Sequence, residues 1–159
     1  MTPPQPVTVS IDVPQPRRAV YDHLDVMANH EAFTDHILTE WQVSGPATGV
    51  GARADVVTKS GGMKDPAVIE VIEVEPDRMI RERNKGAKGK RVATGTYVLS
   101  DLPDGGTHIE FTFIFEEVPA MEKPLVPLMR RMIRKGNERA MERLAALLAD
   151  GQTQQRKAA

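Results

Sequence analysis

The sequence predicts an α+β domain: a curved antiparallel sheet wrapped around one long C-terminal helix, with two short helices between the first two strands. Three observations predict it. Residues 95–116, GTYVLSDLPDGGTHIEFTFIFE, hold two runs with β-branched and aromatic residues at alternate positions, joined by Pro103, Asp104, Gly105 and Gly106. Asp-Gly-Gly supplies the positive φ that a tight return needs. Residues 125–149 then carry Leu125, Leu128, Met129, Met132, Gly136, Ala140, Leu144 and Leu147 on one stripe at three- and four-residue spacing, the mark of an amphipathic helix. The segments between show no strand-helix-strand alternation, so a parallel sheet is not expected. A sheet and a helix that each carry one apolar face bury those faces together. Where the sheet is curved, the pair can enclose a cavity.

The elements follow in order. Val7, Val9, Ile11 and Val13 alternate with Thr8, Ser10 and Asp12 as a half-buried strand. Pro14 and Pro16 end it, and Pro16 suits the first position of a helix, where a missing N–H costs nothing. Ala19, Val20, His23 and Leu24 give a short helical stripe. Asn29 is the expected N-cap of a second short helix over 30–36. Strands are expected at 39–44, 52–59, 67–74, 78–84, 91–101 and 107–118. Pro127 lies near the start of the terminal helix, and Gly151 is its expected stop. Residues 7–150 form one domain, with flexible termini at 1–6 and 152–159.

Composition narrows the function classes. With 21 basic and 22 acidic residues the net charge is −1, which argues against nucleic acid as the main partner. The absence of cysteine excludes disulfides, thiol nucleophiles and Cys-ligated zinc. The N-terminus MTPPQPVTVS lacks the charged and apolar regions of a signal peptide. No apolar run approaches the ~18 residues of a membrane span. A soluble cytoplasmic protein without cofactor is therefore expected.

Four histidines are present. His30 and His36 bracket HEAFTDH, but a six-residue gap does not place two rings on one helix face, so no metal is expected. His36 is a candidate polar group of the cavity wall; the alternative is a helix-end residue bonded to backbone. His23 and His108 are expected to be exposed. On the last strand Thr107, Ile109, Phe111, Phe113 and Phe115 share the face that meets the helix. Tyr97 is a candidate to orient a ligand carbonyl or to act as a weak general acid. Tyr21 is expected to pack the first helix on the sheet. Met129 and Met132 are pocket candidates, since methionine suits adaptable apolar sites. Asp55, Asp65, Glu70 and Glu110 offer no acid/base pair set apart by spacing. Residues 78–91, RMIRERNKGAKGKR, carry seven basic residues and one acid, Glu82. They read either as an anion-binding hairpin or as a solvated edge.

Several segments together resemble the START-like, or helix-grip (SRPBCC, Bet v 1-like), superfamily, and within it the bacterial polyketide cyclase/dehydrase-like proteins. VTVSIDVPQPRRAVYDHLDV (7–26) resembles the family's opening strand, proline and first helix. NHEAF (29–33) resembles its second short helix, and GVGA (49–52) the glycine pair before the third strand. GTYVL with DGGTHIEFTFIFE resembles the final hairpin, and PLVPLMRRMIRKGNERAMERLAALL the terminal helix. Many bacterial members carry a tryptophan near the position of His36; here the nearest is Trp41, on the next strand.

The resemblance covers about 7–149 and implies a ligand cavity between sheet and helix. The ligand-binding set expected on this basis is Phe33, His36, Trp41, Tyr97, Phe111, Phe113, Met129 and Met132. Three functions stand as alternatives. The first is binding of a hydrophobic, aromatic or lipid-like small molecule. The second is a cyclase- or dehydratase-like enzyme, with His36 or Tyr97 moving a proton. The third is a protein-interaction module using the basic hairpin. A homodimer is the outcome if an apolar helix face is left exposed, although the stripe reads as fully used by the sheet.

Overall fold

The computed structural model describes residues 5–60 and 63–158. Seven strands form a single antiparallel sheet: β1 (Val7–Val13), β2 (Leu38–Ser44), β3 (Arg53–Ser60), β4 (Met63–Glu75), β5 (Met79–Gly86), β6 (Arg91–Asp101) and β7 (Thr107–Glu117). Their spatial order is β1-β7-β6-β5-β4-β3-β2. Every connection from β2 to β7 joins sheet neighbours, and only β1 to β2 spans the whole sheet. That crossing is made by α1 (Arg17–Asp25), a 3-10 turn over Met27–His30, and α2 (Glu31–Thr34). The chain ends in α3 (Val126–Ala158), which packs on β1 and α2. The expected fold class is the observed one.

The final hairpin shows why its turn contains two glycines. Gly105 has φ of +91°, a conformation L side chains rarely adopt. Gly106 is required for another reason: a Cβ there would lie 2.4 Å from the Val13 carbonyl oxygen. Asp104 Oδ1 accepts from the Gly106 N–H at 2.9 Å, and the Leu102 N–H donates to the Gly106 carbonyl at 2.9 Å.

Several local expectations are corrected. Pro16 is the N-cap of α1 rather than its first residue. Asn29 does not cap α2; its side chain donates to the His23 carbonyl at 2.9 Å, and His30 precedes the helix. β4 begins at Met63 and passes through Pro66. α3 continues through Gly151, because a glycine permits a stop without imposing one and the residues after it are good helix formers. Of the termini expected to be flexible, 1–4 and 159 lie outside the described residues. His23 and His108, expected to be exposed, are half-buried, and His108 Nδ1 lies 2.6 Å from Asp12 Oδ1.

The stripe of α3 is also rotated from its expected face. Its buried residues are Asn137, Ala140, Met141, Leu144 and Leu148. Leu125 and Leu128 are more than half exposed, and Met132 is 41% exposed. The sheet therefore does not cover the apolar face of this first part of the helix.

Val9, Val13, Val20, Leu24, Leu99, Ile109, Leu144 and Leu148 pack together in the core and do not line the cavity between the sheet and α3. Burying each of the larger ones contributes about 1.5–3 kcal/mol. Toward β2, β3 and the start of α3 the same interior is hollow.

Candidate ligand cavity

The hollow is a cavity of about 260 Å³ between the concave face of the sheet and α3. Its wall is overwhelmingly apolar. Phe111, Phe113 and Phe115 come from alternate positions of β7, so the pleat aims all three inward. Tyr97, opposite Phe111 on β6, stacks against it with ring centroids 4.5 Å apart. Phe111 passes over Gly95, where a Cβ would meet its Cζ at 2.8 Å. A side chain at 95 would force that ring out of place.

Trp41 reaches the cavity through a bulge. In the β2–β3 register Thr39 faces Val57 and Gln42 faces Asp55, which leaves Glu40 and Trp41 opposite the single residue Val56. Glu40 takes φ of +53° at this point. The bulge re-aims the strand, and the Trp41 indole N–H donates to the Leu38 carbonyl at 3.2 Å.

Seven of the eight expected ligand residues line this cavity: Phe33, Trp41, Tyr97, Phe111, Phe113, Met129 and Met132. His36 does not. Its Nε2 donates to the Gly136 carbonyl at 2.9 Å, and its Nδ1 accepts from Arg143 at 2.7 Å. Both ring nitrogens are used in tying the end of α2 to α3.

Three polar residues that sequence reasoning did not select stand in the wall instead: His30, Glu82 and Asn137, all more than nine-tenths buried. His30 donates through Nε2 to the Leu24 carbonyl at 2.7 Å. A carbonyl can only accept, so the proton sits on Nε2 and Nδ1 carries a lone pair. Burial lowers the His30 pKa to about 4. Glu82 Oε2 stands 4.0 Å from that lone pair, too far for a direct hydrogen bond. Burial raises the Glu82 pKa to about 8. At neutral pH the carboxyl is therefore protonated and the imidazole neutral. Tyr97 is raised well above its ordinary value, first by burial and then by Glu82. Among the described residues Glu82 Oε2 and Asn137 Nδ2 have no hydrogen-bond partner.

Signals for the three were present in the chain. Arg81, Arg83 and Lys85 alternate along β5 and face outward, which turns Ile80, Glu82, Asn84 and Gly86 to the interior. His30 continues the stripe Val20, Leu24, Met27 at a further three residues, and Asn137 sits four after Ile133 and four before Met141.

The basic hairpin is partly neutralised. Arg81 pairs with Glu73, and Arg91 pairs with both Asp65 and Glu122. Asp55 and Glu70 are exposed on the other side of the sheet, away from the cavity. Among the described residues no group of three metal-ligating side chains occurs. No described helix is long and apolar enough to cross a membrane.

Residues 4–149 match the family model described as polyketide cyclase/dehydrase and lipid transport. Among solved structures, TTHA0849 from Thermus thermophilus superposes with a TM-score of 0.74 at 19% identity, covering 92% of this chain and 99% of that one. The KanY protein gives 0.72 at 12% identity, covering 93% and 99%. Ara h 8.0201 gives 0.68 at 10% identity, covering 92% and 99%. At these identities the likeness is one of fold. No curated protein matches the chain.

Proposed function

The chain belongs to the polyketide cyclase/dehydrase and lipid transport family, and on that premise we propose that it binds a small, mainly apolar molecule in the cavity between the sheet and α3. One observation carries this reading: two buried polar side chains that each keep an atom without a partner, Glu82 (Oε2) and Asn137 (Nδ2), stand in the wall of a cavity that is otherwise mostly aromatic and aliphatic. An unpaired buried polar group costs roughly 1–3 kcal/mol, and a ligand that pairs with it recovers that cost. Apolar walls supply affinity and the few polar groups supply orientation.

Native mass spectrometry of freshly purified protein, repeated after denaturation, tests the reading. A mass excess lost on denaturation is expected. Ala93 is buried in the cavity wall, so Ala93→Leu should reduce that excess. An excess unchanged in Ala93→Leu would place the ligand elsewhere.

A second reading, an enzyme of the cyclase or dehydratase kind, is favoured by the His30–Glu82 pair. A carboxyl that is protonated at neutral pH can serve as a general acid. Glu82→Gln should then abolish conversion of the co-purified molecule while leaving its binding intact. Equal conversion by both proteins would remove Glu82 from any catalytic role.

A further inference from the structure

The proposed function leaves the ligand's polar group open. The inner wall of the cavity presents a donor and an acceptor side by side. The carboxyl of Glu82, neutral because it is buried, has a proton to give. Nδ1 of His30 has a lone pair to receive one, because the Nε2 proton is committed to the Leu24 carbonyl. The two atoms are 4.0 Å apart. That gap is too long for them to bond to each other, and two atoms so spaced can share one oxygen at ordinary hydrogen-bond distance, about 2.8 Å, from each, once the buried carboxyl turns Oε2 toward the cavity. Such an oxygen must accept from Glu82 and donate to His30.

Resting on the cavity-binding reading above, we infer that the cavity selects an apolar molecule carrying a neutral hydroxyl, phenolic or alcoholic, whose oxygen bridges Glu82 Oε2 and His30 Nδ1. A carbonyl or ether oxygen accepts but cannot donate, so it satisfies only half of the pair. A carboxylate has no proton to give, and its charge would lie beside groups that burial keeps neutral. A cationic amine would fit only by drawing Glu82 into its ionised form, and the cost of desolvating that buried ion pair opposes it. His30 from the 3-10 turn and Tyr97 from β6 stand near Glu82, and neither is charged at neutral pH; of the two cations in the cavity wall, Arg91 is paired with Asp65 and Glu122, and Lys59 is exposed at the end of β3.

The test uses four probes on one scaffold: naphthalene, 2-naphthol, 2-methoxynaphthalene and 2-naphthoate. Binding is read at neutral pH from the indole N–H resonance of Trp41, the single tryptophan, whose ring lines the cavity. The expected order is 2-naphthol tightest, then 2-methoxynaphthalene and naphthalene, with 2-naphthoate weakest. A two-sided hydrogen bond gives 2-naphthol at least a tenfold advantage over 2-methoxynaphthalene. The comparison is stringent, because the hydroxyl loses more hydration than the ether on entering the cavity. Glu82→Leu should abolish that advantage while still binding naphthalene. Glu82→Gln, whose amide can donate to the same oxygen, should keep most of it. Naphthalene binding without a hydroxyl preference, or a preference that survives Glu82→Leu, would overturn the inference and leave the cavity reading standing. If no probe moves the Trp41 resonance, the cavity reading fails and the inference fails with it.

Discussion

His36 donates to the carbonyl of Gly136 across a sequence separation of 100 residues, at 2.9 Å. The bond sits where α3 is thinnest. A Cβ at Gly136 would lie 3.0 Å from Ile37 Cγ2, so glycine lets the helix approach the end of α2 closely. Arg143 completes the joint, donating to His36 Nδ1 and to the Ala32 carbonyl and pairing with Asp35. The residue that sequence reasoning offered as a proton carrier is, by its contacts, a strut between two helices.

His36→Ala should therefore cost stability. Two part-buried hydrogen bonds at about 0.5–1.5 kcal/mol each amount to a loss of roughly 1–3 kcal/mol. For a domain of this size that lowers the melting temperature by several degrees, at about 2–4 °C per kcal/mol. Thermal unfolding followed by circular dichroism measures it. An unchanged melting temperature would show that the joint is dispensable.

Glu82 makes stability depend on pH in a defined sense. Its folded pKa, about 8, lies above its ordinary value of 4.5. Between those values the folded state keeps a proton that the unfolded state has released, so stability is full at low pH and falls as pH rises toward 8. His30 acts in the other direction. Its folded value is about 4 against 6.5, so stability is present above pH 6.5 and lost as pH falls toward 4. Above pH 6.5 only the Glu82 effect remains. Glu82→Gln should gain on the wild type between pH 6.5 and 8 by up to about 2 kcal/mol, at ~1.4 kcal/mol per unit. Urea unfolding of both proteins at the two pH values gives the difference. A constant difference would mean that Glu82 ionises normally in the folded state.

The sequence made the strands, the final hairpin and the terminal helix legible because their signals are local. Alternation on β7 and the Asp-Gly-Gly turn need no partner to be read. The inward face of β7 was readable for the same reason. The polar part of the site was less so. Glu82 lay inside a run dominated by basic residues, and composition drew attention to its charge rather than to its alternation. Trp41 enters the cavity only through the bulge at Glu40, and no residue type announces a bulge there. The assignment of His36 depended on where α3 passes, which is tertiary information.

Gly95 should be intolerant of a side chain, and the intolerance should be specific to one partner. The added Cβ of Gly95→Ala would lie 2.8 and 2.9 Å from two ring atoms of Phe111. The ring must shift, and overpacking of this kind costs about 1–3 kcal/mol. Gly95→Ala combined with Phe111→Leu should be more stable than the sum of the two single losses, since leucine lacks the offending ring atoms. A double-mutant cycle by chemical denaturation reads the coupling. Simple additivity would mean that the backbone, and not Phe111, absorbs the methyl.

Arg91 stands in the cavity wall where β4, β6 and the segment before α3 meet. It lines the wall at the start of β6 and pairs with Asp65 on β4, at 2.8 Å, and with Glu122 just before α3. Asp65 also accepts from the Ala87 N–H. The guanidinium therefore joins two strands to the segment that leads into the helix, and its side chain is only 20% exposed. Partial burial keeps such a network from being fully screened by salt. Arg91→Met keeps most of the apolar stem but removes both pairs, and should lower stability by roughly 1–2 kcal/mol, above the range of an exposed pair. It should also loosen the segment at Glu122, next to the wall residues Met129 and Met132. Faster amide exchange across residues 122–132, with the β6–β7 ladder unchanged, is the expected pattern. Uniform acceleration across the whole chain would indicate a global loss of stability and no local role for Arg91.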